Sequence, residues 1–225
     1  LGFLVSHEGI IPEQARLKEI FDVPRPTSVK EIQSFLGMTN YLRMHIPRYA
    51  DLAKPLEAVR MKDEFTWTNE LEHSFSKLKT AIAHAKMLYT PNPALPFYLA
   101  TDASNVGISA MLYQMEGDTK RFISFESRAL RTSERNYHAH KKELLAVVFA
   151  LLKNQHLLRN RSFMLITDHQ SLIYLKSQKN TNIMMENWYD VLASFDFKVT
   201  HLPGAQNIIP DFLSRAPCKS HTILT

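Results

Sequence analysis

The sequence predicts an α/β fold in which a mainly helical segment precedes a mixed five-strand sheet with flanking helices. Apolar residues recur at helical spacing through most of the first 90 residues. Residues 89–96 then contain three prolines, which exclude both a helix and a central strand. Beyond them, short apolar blocks typical of strands alternate with helical patterns, as in a mixed α/β domain. We therefore expect two structural parts that meet near residue 90.

The helical segment is predicted from capping and periodicity. Alternating apolar and polar residues over 1–11 predict an opening hairpin. Ser28 and Glu31 have the spacing of a capping box, which indicates a helix that begins there and that Pro47 ends. Further helices are predicted over about residues 52–61 and from residue 68 or 69 onward, where large apolar residues recur every three or four positions.

The second part is predicted from apolar blocks bounded by turn residues. The five predicted strands cover residues 97–101, 108–114, 122–126, 163–167 and 197–202. The predicted helices cover about 136–153, 170–175 and 183–194, with a final helical turn from Asn207. Three strands, a helix, a strand, helices and a last strand give a sheet with flanking helices.

Composition limits the class of protein. The 225 residues carry a net charge of +5 and a pI near 9.2, which suits a polyanionic partner without requiring one. The longest wholly apolar run, Leu144 to Leu152, is too short for the roughly 20 residues of a membrane-spanning helix, so no membrane partner is expected. A single cysteine, Cys218, cannot form an internal disulfide, which favours a reducing, intracellular setting.

Four acidic residues stand next to apolar segments, where a charge is costly. Asp102 and Asp168 follow predicted core strands, Glu143 opens the apolar run of the strongest helix, and Asp211 lies among large apolar residues. Carboxylates that converge repel one another and lose hydration, a penalty that divalent cations remove. Two such ions roughly 3.5–4 Å apart support phosphodiester cleavage. Taken singly, an acid in such a position is more often a helix cap or a turn residue, and spacing alone does not prove that the four converge.

Several blocks of residues, in order along the chain, carry a resemblance to a known family. They include Thr101-Asp102-Ala103-Ser104, Lys142-Glu143-Leu144-Leu145, Thr167-Asp168-His169-Gln170 and Pro210-Asp211-Phe212-Leu213. With these blocks the chain resembles the ribonuclease H domain of gypsy-type LTR-retrotransposon reverse transcriptases. Upstream, Tyr41-Leu42-Arg43 with Ile46-Pro47, and Phe65-Thr66-Trp67-Thr68, are similar to the thumb and connection regions of the same polyproteins.

The resemblance implies that Asp102, Glu143, Asp168 and Asp211 form the catalytic set and bind two Mg²⁺ ions, with Mn²⁺ as an alternative. Such an enzyme cuts the RNA strand of an RNA·DNA hybrid and leaves 3′-hydroxyl and 5′-phosphate ends. It distinguishes the hybrid by its 2′-hydroxyls and groove shape more than by base sequence. These assignments are expectations that follow from the resemblance.

Four polar residues near these acids are further candidates. His201 lies ten residues before Asp211, a spacing that resembles the loop histidine of other ribonucleases H, which assists proton transfer or product release; it could equally only end a strand. The remaining three stand where the resemblance implies contact with the hybrid, although exposed polar residues beside an active site are also simply solvated. They are His140, Gln170 and Asn207.

The resemblance also implies a division of the chain into a thumb and connection segment over 1–90, a ribonuclease H-like domain over 91–217 and a tail over 218–225. The sequence contains no Tyr/Phe-x-Asp-Asp motif, so the polymerase palm is absent from this chain. The expected partners are therefore the RNA·DNA hybrid and the fingers and palm of the reverse transcriptase. The expected location is intracellular: the cytoplasm, virus-like particles or the nucleus.

Two other functions fit parts of the same sequence. The chain could be a non-catalytic module from a degenerate or host-adopted element that binds nucleic acid or a polymerase subunit, although the presence of all four acids argues against decay. An integrase or transposase of similar fold fits less well, because here a glutamate lies between the two strand aspartates and an aspartate follows downstream.

Overall fold

A helical part and a five-stranded sheet follow one another along the chain. The protein is described by a computed structural model that covers residues 2–167 and 183–201. The helical part contains β1 (Phe3–Val5), β2 (Gly9–Pro12), α1 (Gln14–Phe21), α2 (Val29–Asn40), a short 3-10 helix (Arg43–His45), α3 (Tyr49–Val59), α4 (Asn69–Ala83) and β3 (Leu88–Tyr89). The sheet part contains β4 (Phe97–Ala103), β5 (Gly107–Glu116), β6 (Thr119–Ala129), α5 (Thr132–Arg135), α6 (Ala139–Lys153), α7 (Gln155–Leu158), β7 (Ser162–Thr167), α8 (Ile183–Ala193) and β8 (Asp196–His201).

The predicted capping signals of the helical part are present in the structure. The Ser28 hydroxyl accepts the backbone N–H of Glu31 at 3.2 Å, and the Glu31 carboxylate accepts the backbone N–H of Thr27 at 2.7 Å. Thr68 caps α4 in the same way, through the backbone N–H of Leu71. The helices then bury a common core, whose fully enclosed side chains include Ile20, Ile32, Phe35, Leu42, Leu56, Leu78 and Ile82.

The larger sheet is mixed, with strand order β6-β5-β4-β7-β8. β4, β5 and β6 pair antiparallel, whereas β7 and β8 continue from β4 in parallel, so the predicted mixed five-strand sheet is confirmed. α6 lies across one face and is buried almost all round, as expected for a nine-residue apolar run. Its Leu144, Val147 and Leu151 pack in one cluster with apolar residues of β4, β5 and β7.

The helical predictions differ from the structure in several places. The helix predicted to run from Ser28 to Pro47 ends at Asn40 and is followed by the 3-10 helix. The helix α1 was missed, because its two buried residues, Leu17 and Ile20, give only one helical interval in a short segment. The helix predicted over about 136–153 begins only with α6, because the residue before it, His138, is not helical (φ −59°, ψ 154°), and the short helix α5 was not predicted. The predicted short helix over 170–175, the helical turn from Asn207 and the predicted tail lie outside the described residues.

The helical part packs against β5 and β6 through the 3-10 helix and the beginning of α3. The backbone N–H of Ala50 donates to the Ser127 hydroxyl at 3.1 Å, and Arg43 Nη2 donates to the Ser127 carbonyl at 2.5 Å. The Ser104 hydroxyl, in the β4–β5 turn, donates to Asp51 Oδ1 at 3.2 Å. The first turn of α3 therefore lies beside the end of β4. Within the described ranges, none of the helices has the length and apolarity needed to cross a membrane.

Candidate active site

Asp102 lies near the carboxyl end of β4, the central strand of the sheet. It is paired with Ser109 on β5, and its side chain is 21% exposed. The strand continues through Ala103, two residues beyond its predicted end. Asp102 is therefore a strand residue, and its interpretation as a helix cap or turn residue is wrong. The Asp102 carboxylate is thus partly exposed near the carboxyl end of a buried strand, where a charged ligand can reach it.

Glu143 lies on the second turn of α6, as predicted, and its Oε2 atom is withdrawn from solvent. The neighbouring Lys142 is buried and donates from Nζ to Asn105 Oδ1 at 3.1 Å. Asn105 belongs to the β4–β5 turn, three residues after Asp102. The beginning of α6 is thus fixed against the end of β4, which brings the elements that carry Asp102 and Glu143 together at one edge of the sheet.

Several predicted site residues lie outside the described residues. They are Asp168, Gln170, Asn207 and Asp211. β7 runs parallel to β4 and ends at Thr167, directly before Asp168, and Thr167 is paired with the backbone of His201 at the end of β8. His140 is exposed on the first turn of α6, three residues before Glu143. The convergence of all four acids, and the roles of these residues, stay predictions.

Sequence reasoning did not single out Arg48, although it contacts the site. Its Nη1 lies 3.5 Å from Asp102 Oδ2, and the same guanidinium holds Asp51 Oδ2 through Nε at 2.8 Å and Nη2 at 2.7 Å. Arg48 precedes α3 in a left-handed conformation (φ 52°, ψ 33°). No periodicity or motif could have found it, because it comes 54 positions before Asp102 and meets it only through packing of the helical part.

Two further carboxylates near the junction have shifted pKa values in opposite directions. The bidentate contact with Arg128, at 2.6 and 3.0 Å, lowers the pKa of Glu134. Burial raises the pKa of Glu126, although Lys153 and Arg43 oppose the shift. Glu134 therefore acts as a fixed anion that ties α5 to β6. Glu126 lines a cleft of about 510 Å³ between the helical part and the sheet.

The donors at the β4 edge suit a hard divalent cation. Both described candidates are carboxylates, and Mg²⁺ and Mn²⁺ prefer oxygen ligands. One oxygen of Glu143 is withdrawn from water, and a divalent cation would offset the cost of a negative charge in such surroundings. Among residues 2–167 and 183–201, no three His, Cys, Asp or Glu side chains group as a metal site. Two of the four predicted ligands lie outside those ranges.

Comparison with known proteins agrees with this architecture. Residues 92–195 match the model of the RNase H-like domain found in reverse transcriptase. The chain is 40% identical over 217 residues to the retrovirus-related Pol polyprotein from transposon 297 of Drosophila melanogaster, covering 96% of this chain and 20% of the polyprotein. It is 34% identical over 231 residues to the Pol polyprotein from transposon gypsy of the same organism, covering 96% and 22%.

Two solved structures of a foamy viral protease-reverse transcriptase share the fold. The complex with dsDNA has a TM-score of 0.73 at 21% identity and is matched over 91% of this chain and 44% of that one. The complex with an RNA/DNA hybrid has a TM-score of 0.72 at 22% identity, over 100% of this chain and 31% of that one. At these identities the likeness shows the fold alone.

The fold and the acids at the β4 edge define the class: an RNase H-like domain of the reverse-transcriptase type. Residues 92–195 belong to the family of RNase H-like domains found in reverse transcriptase, and the chain is a relative of part of the Pol polyproteins from the transposons 297, opus and gypsy, of which it spans about a fifth to a quarter. The resemblance seen in the sequence is thereby confirmed. The match to a reverse-transcriptase domain also favours this class over an integrase.

Proposed function

We propose that the chain is a metal-dependent endonuclease that hydrolyses the RNA strand of RNA·DNA hybrids within a retrotransposon reverse transcriptase. The observation that supports the proposal is the contact between the first turn of α6 and the β4–β5 turn, through Lys142 and Asn105, because Asp102 and Glu143 lie on the elements that meet there. The family match supports the class of domain, and the hybrid and the rest of the reverse transcriptase are the partners that it suggests.

The residues near the end of β4 fall into two groups, those that would hold the cation and those that position them. Asp102 and Glu143, with Asp168 and Asp211 as the further predicted ligands, would hold Mg²⁺ or Mn²⁺. When bound, a pair of such ions supplies an activated water and stabilises the leaving oxygen. Asn105, held by Lys142, fixes the β4–β5 turn beside Asp102, so the carboxylate starts in a defined position. The position of the carboxylate matters because a displaced cation ligand would misalign the reacting groups, and much of the catalytic rate depends on their orientation.

The test is cleavage of a hybrid labelled on its RNA strand by the purified chain in Mg²⁺. We expect RNA products with 3′-hydroxyl ends, no cleavage of duplex DNA, and no cleavage in EDTA. Asp102→Asn and Glu143→Gln should each lower the rate by about 100-fold or more, since each removes a charged ligand of the cation that would stabilise the leaving oxygen. Asp168→Asn and Asp211→Asn extend the test to the other two predicted ligands.

Asp118→Asn is the matched control, because Asp118 is an exposed acid in the β5–β6 turn, at the opposite end of β5 from Asp102. It should cleave like the parent chain. Binding of the hybrid by all variants without metal-dependent cleavage by any of them would contradict the proposal. That result would favour the non-catalytic binding module instead.

A further inference from the structure

We propose that Arg48, held in place by Asp51, is the built-in counter-ion of Asp102 and competes with the divalent cation for that carboxylate. The helical part would then set the cation concentration that the nuclease edge requires. The inference rests on the proposed function, because it takes Asp102 as a cation ligand. It adds a residue from outside the RNase H-like domain that controls how readily the ligand is occupied.

The geometry places one guanidinium between two carboxylates. Arg48 makes its short contacts to Asp51, at 2.7 and 2.8 Å, and the longer one to Asp102, at 3.5 Å. Asp51 is itself fixed to the sheet through the Ser104 hydroxyl at 3.2 Å. Arg48 is therefore anchored by the helical part and presents its remaining nitrogen, Nη1, to Asp102 Oδ2.

A cation and the guanidinium cannot both hold the same oxygen atom. Mg²⁺ binds carboxylate oxygens at about 2.1 Å, so a cation on Asp102 Oδ2 would lie within a few ångströms of Nη1. The two positive charges repel each other, and the repulsion is only partly screened because the Arg48 and Asp102 side chains are 27% and 21% exposed. Binding of the cation must therefore loosen or displace Arg48.

The structure leaves room for that displacement. A cleft of about 390 Å³ lies between α3 and α4, and Arg48 and Asp51 line it together with Glu70 and Lys77. Displacement of the guanidinium toward this cleft would keep it on the side of Asp51, and Glu70 is a second acidic residue in the lining. The Arg48–Asp102 contact can thus open while the helical part stays docked.

Substitutions of Arg48 and Asp51 are expected to change Mn²⁺ affinity in opposite directions. Arg48→Met and Arg48→Gln remove the competing charge and should tighten Mn²⁺ binding by about three- to tenfold, the range expected for a partly exposed pair. Asp51→Asn should weaken Mn²⁺ binding, because it removes a nearby negative charge and releases Arg48 to Asp102. A purely structural role for Arg48 would lower thermal stability and leave Mn²⁺ affinity unchanged.

The experiment titrates Mn²⁺ into the whole chain without nucleic acid and follows unbound Mn²⁺ by electron paramagnetic resonance. Thermal unfolding in EDTA confirms that each variant is folded, and two neutral replacements of Arg48 are used in case one does not fold. Arg60→Met is the matched control: Arg60 ends the same helix, pairs with Glu57 at 3.1 Å at the same three-residue separation, and should leave Mn²⁺ affinity unchanged.

The outcomes separate this inference from the proposed function. Tighter binding by both Arg48 variants, with weaker binding by Asp51→Asn, supports it. Mn²⁺ binding that Asp102→Asn abolishes but that neither Arg48 variant tightens would overturn the inference and leave the proposed function intact. Failure of the parent chain to bind Mn²⁺ better than Asp102→Asn would overturn both.

Discussion

Gly107 lies so close to Asp51 that a Cβ atom at this position would stand 2.7 Å from Asp51 Oδ1 and 2.9 Å from the carbonyl oxygen of Arg128. Gly107 begins β5, and Asp51 belongs to the first turn of α3. Because both distances are below normal contact, only glycine allows the helical part and β6 to approach β5 together. The same approach brings Arg48 to Asp102.

Gly107→Ala should destabilise the chain by about 1–3 kcal/mol, since overpacking at a closed contact forces the backbone apart. Equilibrium unfolding in urea measures the loss. Gly37→Ala is the control, because Gly37 is exposed on α2, and a Cβ atom there would meet no described atom outside its own helix within 4 Å. Alanine at position 37 should stabilise the chain by about 0.5–1 kcal/mol. Equal stability of the Gly107→Ala variant and the parent chain would show that the contact is loose.

Glu143→Gln should lose the stabilisation that Mg²⁺ gives the parent chain, because it replaces a charged oxygen ligand with a neutral amide. That stabilisation reaches about 2.7 kcal/mol at a Mg²⁺ concentration one hundred times the Kd. Thermal scans with and without Mg²⁺ measure it. If Mg²⁺ stabilises the variant as much as the parent, Glu143 is not a cation ligand.

Glu134→Gln should cost about 1.5–3 kcal/mol at pH 7, because it breaks the bidentate bond with Arg128. Since the pKa of Glu134 is lowered in the folded chain, this stability is present above the unfolded pKa near 4.5 and is lost as pH falls through the folded pKa. The difference between variant and parent should therefore shrink below about pH 4.5. Unfolding in urea at several pH values measures it.

The control for Glu134 is Glu19→Gln, which breaks an exposed pair with Arg16 at 2.7 Å. Such pairs contribute about 0–1 kcal/mol, so this variant should stay close to the parent. A difference at Glu134 that does not change between pH 7 and pH 4 would mean that the ionised carboxylate is not the stabilising species.

His45 predicts a second, milder pH dependence. Its ring is buried and its Nδ1 bonds to the Lys86 carbonyl at 2.7 Å, and burial lowers its pKa. The folded chain therefore binds fewer protons than the unfolded chain, and stability is lost as pH falls below the unfolded pKa near 6.5. His45→Asn keeps a donor near Nδ1 and cannot titrate, so its stability should decline less between pH 7.5 and 5.5.

Denaturant unfolding of the parent chain and of His45→Asn at pH 7.5 and pH 5.5 measures the two declines. If the His45→Asn variant loses as much stability between pH 7.5 and 5.5 as the parent chain, groups other than His45 cause the decline.

Sequence patterns predicted correctly those features that depend on interactions between residues close together in the sequence. The cap at Ser28, the start of α4 next to Thr68 and the apolar run of α6 all formed as predicted, because each depends on neighbours within one or two turns. The short helix α5 was missed because its Glu134 is held by Arg128, a residue of another element. β4 ran two residues past its predicted end because β5 pairs with it as far as Ala103.

The sequence by itself determined the class of fold, the positions along the chain of the five strands of the larger sheet, and the acids worth testing, since these depend on periodicity, capping and the order of motifs. Only the tertiary structure decided that Lys142 fixes α6 against the β4–β5 turn and that Arg48 meets Asp102. Those contacts join residues 37 and 54 positions apart. Such partners are selected by how the helical part packs on the sheet, a relationship that no local pattern encodes.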